Sequence, residues 1–246
     1  MERYPFSLEY KVPAYDTDCY GRLSASSSLR YAQVIAGQHL DALGITYENL
    51  VKGGAFFALA AIGARFERAP VIGEKIVIST VPVLSHGAQF LRETVMCDEK
   101  GNLLVEFQAS WSLVDIKSGR PLRFDRLGGN LPMLSGEWTP FIDPSRLRPP
   151  KAEEHCGEHV VRLSDIDVNH HMNNAVYADV MLNCMPDEYL NSQGIDRLML
   201  RYRRQVRLGE KIELYKGFDG QLFSIRGQVD DGCCFEGAFS LKGLET

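Results

Sequence analysis

Phe66-Glu67-Arg68-Ala69-Pro70-Val71-Ile72-Gly73-Glu74-Lys75-Ile76 returns later in the chain as Tyr202-Arg203-Arg204-Gln205-Val206-Arg207-Leu208-Gly209-Glu210-Lys211-Ile212. An aromatic residue, an arginine and the run Gly-Glu-Lys-Ile keep their places in both copies. Two further pairs hold the same order around it. Tyr15-Asp16-Thr17-Asp18 matches Ser164-Asp165-Ile166-Asp167, and Trp111-Ser112-Leu113 matches Phe239-Ser240-Leu241. Self-similarity of this kind marks a duplicated supersecondary unit. The chain reads as one plan used twice.

The plan can be read around each copy. Alternation over 6–12 predicts a strand, and the polar turn 15–24 follows it. Leu29, Ala32, Ala36, His39, Leu40 and Leu43 then recur at helical spacing, with Gly44 as the stop. His39 on that apolar face reads as a packed core histidine. Strands are predicted over 56–66, 75–83, 90–97 and 103–115, with a hairpin turn at Asp98-Glu99-Lys100-Gly101-Asn102. The second half gives a strand over 160–163, the acidic turn, and a helix over 175–185 ended by Pro186. Strands follow over 198–206, 212–216, 222–229 and 233–241, the last pair joined at Asp231-Gly232. A helix followed by a run of antiparallel strands is an α+β unit, not a parallel βαβ sheet. Between the copies, prolines 132, 140, 144, 149 and 150 break any period and predict an extended connector. The boundaries are 1–128 for the first unit, 129–154 for the connector and 155–246 for the second unit.

The chemistry gathers in the turn of the second copy, Ser164-Asp165-Ile166-Asp167-Val168-Asn169-His170-His171-Met172-Asn173-Asn174. Asn173 suits the N-cap of the helix that follows, where unpaired backbone N–H groups and the helix dipole favour developing negative charge. His171 can exchange protons near neutrality. Asn169 can donate a hydrogen bond or hold a water, and Asp167 can orient Asn169. At the corresponding places the first copy has Tyr20 and Arg22, so it lacks the amide and the imidazole. One active site per chain is expected, with the first unit forming the wall of an apolar pocket from Phe56, Phe57, Leu59 and Ile62.

The pattern Asp167, Asn169, His171, Asn173, Asn174, together with the repeat, resembles the acyl-ACP thioesterases. The resemblance covers nearly the whole chain and extends to Gly21-Arg22-Leu23-Ser24 and Gly37-Gln38-His39-Leu40-Asp41-Ala42-Leu43-Gly44. It implies a tandem double hot-dog fold, each half a long helix wrapped by an antiparallel sheet. It also implies hydrolysis of a fatty acyl thioester on acyl carrier protein in fatty acid biosynthesis, without metal or organic cofactor. Asp167, Asn169, His171 and Gln205 would form the catalytic set, and Asn173, Asn174, Phe56 and Phe57 would contact substrate. The family has a carboxylate where Gln205 stands, often followed by cysteine where Val206 stands. An amide can position water but cannot take its proton. Asp165 and Asp179 are candidate substitutes. An acyl-CoA thioesterase of the same fold and a non-catalytic binder of acyl thioesters stay open, as does a homodimer.

Composition excludes other classes. The net charge of −5 argues against a nucleic-acid partner. The N-terminus shows no secretory leader, and the most apolar run, 55–64, is too short to span a bilayer. The six cysteines make no disulfide framework, so a reducing cytoplasm is expected. His155, Cys156 and His159 lack a fourth metal ligand and read as the solvent-facing start of the second unit. Arg201, Arg203, Arg204 and Arg207, with Arg146, Arg148 and Lys151 in the connector, form the candidate surface for an acidic carrier protein.

Overall fold

A computed structural model describes residues 4–86, 89–123, 151–185, 194–230 and 232–243. The connector residues 129–150, with Arg146 and Arg148, and the expectations for Pro186 and Asp231 lie outside the described residues. The first half runs β1 (Phe6–Lys11), α1 (Ala25–Ala42), α2 (Tyr47–Lys52), β2 (Ala55–Phe66), β3 (Lys75–His86), β4 (Gln89–Asp98) and β5 (Leu103–Asp115). The second runs β6 (Glu154–Val160), α3 (Val176–Leu182), β7 (Ile195–Tyr202), β8 (Lys211–Phe218), β9 (Phe223–Val229) and β10 (Gly232–Leu241).

All ten strands join one sheet in the order β1-β3-β4-β5-β2-β7-β10-β9-β8-β6. Read inward from either edge, each block of five follows the same course: the strand before the helical segment pairs the second strand after it, and the remaining strands follow in turn. The blocks meet where β2 and β7 pair antiparallel, with Ala61 opposite Arg201 and Ala64 opposite Leu198.

Local chemistry fixes the helices. Ser24 caps α1 by accepting the Ser27 N–H at 3.1 Å, and Gly44 ends it with φ +78°, a backbone state that glycine takes without a Cβ penalty. Leu29, Ile35 and His39 point inward from α1. Helix α3 lies close on the sheet because Gly237 has no side chain: a Cβ there would stand 2.3 Å from Met181 Sδ. One apolar core runs through both halves and includes Leu29, Ile35, Phe107, Tyr177, Met181, Phe235 and Phe239. Phe107, Phe235 and Phe239 are fully buried, each stabilising the fold by roughly 1.5–3 kcal/mol.

Four details depart from the sequence reading. Helix α3 covers only Val176–Leu182 rather than 175–185, and its N-cap is Ala175 rather than Asn173. The second unit's first strand lies at Glu154–Val160, so His155, Cys156 and His159 are strand residues. Strand β7 stops at Tyr202 rather than 206, because the N–H groups of Arg203 and Arg204 both turn to the Cys234 carbonyl. Helix α2 was not expected, and Thr46 caps it by accepting the Asn49 N–H at 3.2 Å.

Candidate active site

The two copies of the acidic turn share a hydrogen-bond frame. In the second, Asp167 N–H donates to the His171 carbonyl, His170 N–H to the Asp167 carbonyl, and Asn173 N–H to the Asp165 carbonyl. In the first, Asp18, Gly21 and Ser24 make the same three bonds to Arg22, Asp18 and Asp16. His170 has φ +61° and Gly21 has φ +73°, so both turns need a left-handed residue at that point. The segment beyond β7 supports the second turn through the Val206 carbonyl, which accepts the Met172 N–H at 2.8 Å. Its own shape is set by Glu210, which binds the Arg204 guanidinium and the Arg207 N–H.

This frame collects the motif side chains. Asp167 accepts the Asn169 N–H at 2.8 Å. His171 is half-buried, and its ring makes no hydrogen bond among the described residues, so both nitrogens are available to water or substrate. Burial pulls its pKa below the ordinary 6.5, Asp167 and Glu210 push it up, and Arg207 and His170 push it down. The imidazole is therefore a neutral base at neutral pH, and Asp167 stabilises the imidazolium once it takes a proton.

A pocket of about 230 Å³ opens at this turn, and almost all its wall belongs to the first half. Ala36, Leu40, Ile45, Leu50, Phe57 and Phe90 supply apolar surface, and Asn169 is the second half's contribution. At the exposed end the Tyr47 hydroxyl donates to Asn169 Oδ1 at 2.9 Å. With Oδ1 occupied, the two N–H donors of Asn169 are left for a ligand. A directed amide donor thus meets an apolar pocket, and the base lies two residues along the same turn, outside the pocket's lining; together they suit attack of water on an acyl carbonyl.

Other residues fall elsewhere. Asn173 Oδ1 accepts the Ala175 N–H at 2.9 Å, and its carbonyl accepts the Val176 N–H. Those early donors are spent within the chain, and α3 is only seven residues long, so the amide of Asn169 replaces the helix start as the available oxyanion donor. The Asn174 carbonyl accepts the Tyr202 hydroxyl. Phe57 lines the pocket and Phe56 does not; Leu59 and Ile62 sit in the main core. Gln205 is exposed, in the segment just before Val206. Asp165 is held by His159 Nε2 at 3.0 Å and the Arg162 N–H, and Asp179 faces Arg30 at 3.8 Å. The carboxylates that act on His171 are Asp167 and Glu210. Tyr47 had no sequence signal: it is an exposed aromatic on a short helix with no buried residue, and only the fold brings it to Asn169.

Known proteins share this architecture. A crystal structure of an acyl-ACP thioesterase from Bacteroides thetaiotaomicron superposes with TM-score 0.88 at 18% identity, covering 96% of this chain and 97% of that one. The 12:0-ACP thioesterase from Umbellularia californica gives TM-score 0.78 at 17% identity, covering 96% of each chain. These likenesses define a hot-dog-fold protein. The acyl-ACP thioesterase N-terminal domain model matches residues 3–126, and the C-terminal domain model matches residues 149–233. The chain belongs to the acyl-ACP thioesterase family. A chloroplastic acyl-[acyl-carrier-protein] hydrolase of Cuphea viscosissima is 22% identical over 92% of this chain, which spans 60% of that relative's length.

Proposed function

We propose that this protein hydrolyses the thioester between a fatty acyl chain and acyl carrier protein, giving the free acid and the carrier thiol. The observation that carries the reading is Asn169, held by Tyr47 at the mouth of an apolar pocket, two residues from a half-buried neutral imidazole. The acyl chain enters the first half's pocket and the carbonyl lies against Asn169. Water attacks the carbonyl carbon as His171 removes its proton. The Asn169 amide receives the oxyanion, and the imidazolium beside Asp167 returns the proton to the departing sulfur. The two five-stranded blocks are two hot-dog units in tandem, a reading supported by their common pairing order and turn bonds.

Carrier docking fits the exposed Arg207, which has no carboxylate partner among the described residues and acts on His171. Its neighbours are less available: Arg203 pairs with Glu236 at 2.7 Å and Arg204 pairs with Glu210. Apparent affinity for acyl-ACP should weaken as salt rises, and a KM independent of salt contradicts this docking.

Gln205, a neutral amide where the resemblance calls for a carboxylate, favours a second reading of binding without turnover. Steady-state rates on matched acyl-ACP and acyl-CoA, for wild type and Gln205→Glu, separate the readings. Higher kcat/KM on acyl-ACP supports the proposal. Faster acyl-CoA cleavage moves the carrier assignment, and tight binding without product in the wild type, gained only in Gln205→Glu, establishes the binder.

A further inference from the structure

The pocket that takes the acyl chain is not apolar throughout. Arg92, 6% exposed, lies in its wall. One guanidinium nitrogen, Nη1, is spent on His39 Nδ1 at 3.1 Å and Thr80 Oγ1 at 3.2 Å. Arginine only donates, so His39 Nδ1 accepts and carries no proton. Burial, followed by the Arg92 charge, lowers the His39 pKa to about 4, which keeps the ring neutral. Burial alone lowers the Arg92 pKa to about 10, still charged at neutral pH. Among the described residues no carboxylate pairs with it.

Two more donors belong to the same wall. Gln33 Nε2 and Trp111 Nε1 are buried and have no hydrogen-bond partner among the described residues, and both residues line the pocket. An indole N–H cannot act as an acceptor, so reversing an amide does not remove this excess of donors. Leaving buried donors unmet is costly in a protein that binds only hydrocarbon. The Asp41 carboxylate also lines the pocket, but it is exposed.

We propose that the pocket selects acyl chains bearing an oxygen acceptor, a hydroxyl or oxo group away from the thioester, received by Arg92, Trp111 and Gln33. The proposal rests on the thioesterase reading and names its substrate class. A site built to hydrogen-bond a substrate oxygen rejects the analogue that lacks it, because its own donors are then left unpaired.

The test uses acyl-ACPs of one chain length, either saturated or with a hydroxyl moved from the carbon nearest the thioester towards the far end. Wild type should favour at least one oxygenated chain by ~10-fold or more in kcat/KM. Arg92→Met and Trp111→Phe should each collapse that ratio. Trp111→Phe removes an N–H that has no partner to lose among the described residues, so it tests the proposal even if Arg92→Met fails to fold. Equal or better hydrolysis of the saturated chain at every position, with the ratio unmoved in Trp111→Phe, overturns the proposal and leaves the thioesterase reading intact. If no acyl-ACP is cleaved, that reading fails, and calorimetry with matched hydroxy and plain fatty acids decides the selectivity. Tighter binding of the hydroxy acid supports it, and equal binding ends it.

Discussion

The turn at 15–24 and the turn at 164–173 are the same backbone with opposite fates. In the first, Asp18 accepts the N–H groups of Tyr20 and Arg22 and the Arg22 Nε, all within 3.0 Å. Arg22 also lies 4.7 Å over the Tyr20 ring. The carboxylate is saturated and its cation is stacked. In the second, Asp167 holds only the Asn169 N–H among the described residues, so its field falls on His171. A cleft of about 300 Å³ exists at the first turn too, lined by Asp18, Tyr20, Arg22 and residues of the second half. The duplication made two crossed clefts, each with its turn from one half and part of its wall from the other. Ion pairing closed one set of side chains, and the other was left free to exchange protons.

If this contrast is right, removing the second turn's donor should cost far more than any change in the first turn. Asn169→Ala should lower kcat by ~10²–10³, the usual loss for a missing oxyanion donor. Tyr47→Phe, which only frees the amide to rotate, should cost less and act on kcat more than on KM. Equal losses would mean that the hydroxyl itself touches substrate.

A smaller effect concerns pH. Because burial lowers the pKa of His171, the working neutral base persists as pH falls below 6.5. The acid limb of kcat/KM should lie below pH 6.5, and a limb above it would mean that the imidazolium is favoured instead.

The smallest effect belongs to the first turn. Arg22→Ala removes a partly exposed ion pair with Asp18, worth ~0.2–1 kcal/mol. Denaturant unfolding should register a loss of that size while turnover on acyl-ACP stays at the wild-type level. A large drop in turnover would give the first turn a chemical role.

Much of this contrast was legible in the sequence. Offsets between the repeats correctly paired Asp18 with Asp167 and Arg22 with His171, and the pairing holds in hydrogen bonds as far as Arg68–Glu74 and Arg204–Glu210. The spacing of Leu29, Ala32, Ala36 and His39 gave α1 because that face is buried. What the sequence hid depends on distant contacts or on backbone alone. Tyr47 works through a residue in the other half. Strand β6 carries His155, Gly157 and His159 in place of an apolar alternation, and it is defined by its ladder with β8. The end of β7 is set by the Cys234 carbonyl, which no local composition records. Gln33, Arg92 and Trp111 become a set only when α1, β4 and β5 close on one pocket.

The central claim, that chemistry resides in the second turn alone and in one imidazole, is tested most directly by kcat/KM on acyl-ACP for His171→Ala beside His170→Gly. His170→Gly reproduces Gly21 of the first turn and suits the left-handed backbone, so it should keep wild-type turnover. His171→Ala should lose ~10²–10⁴-fold with the fold intact. Near-wild-type turnover in His171→Ala, or an equal loss in His170→Gly, would contradict the account.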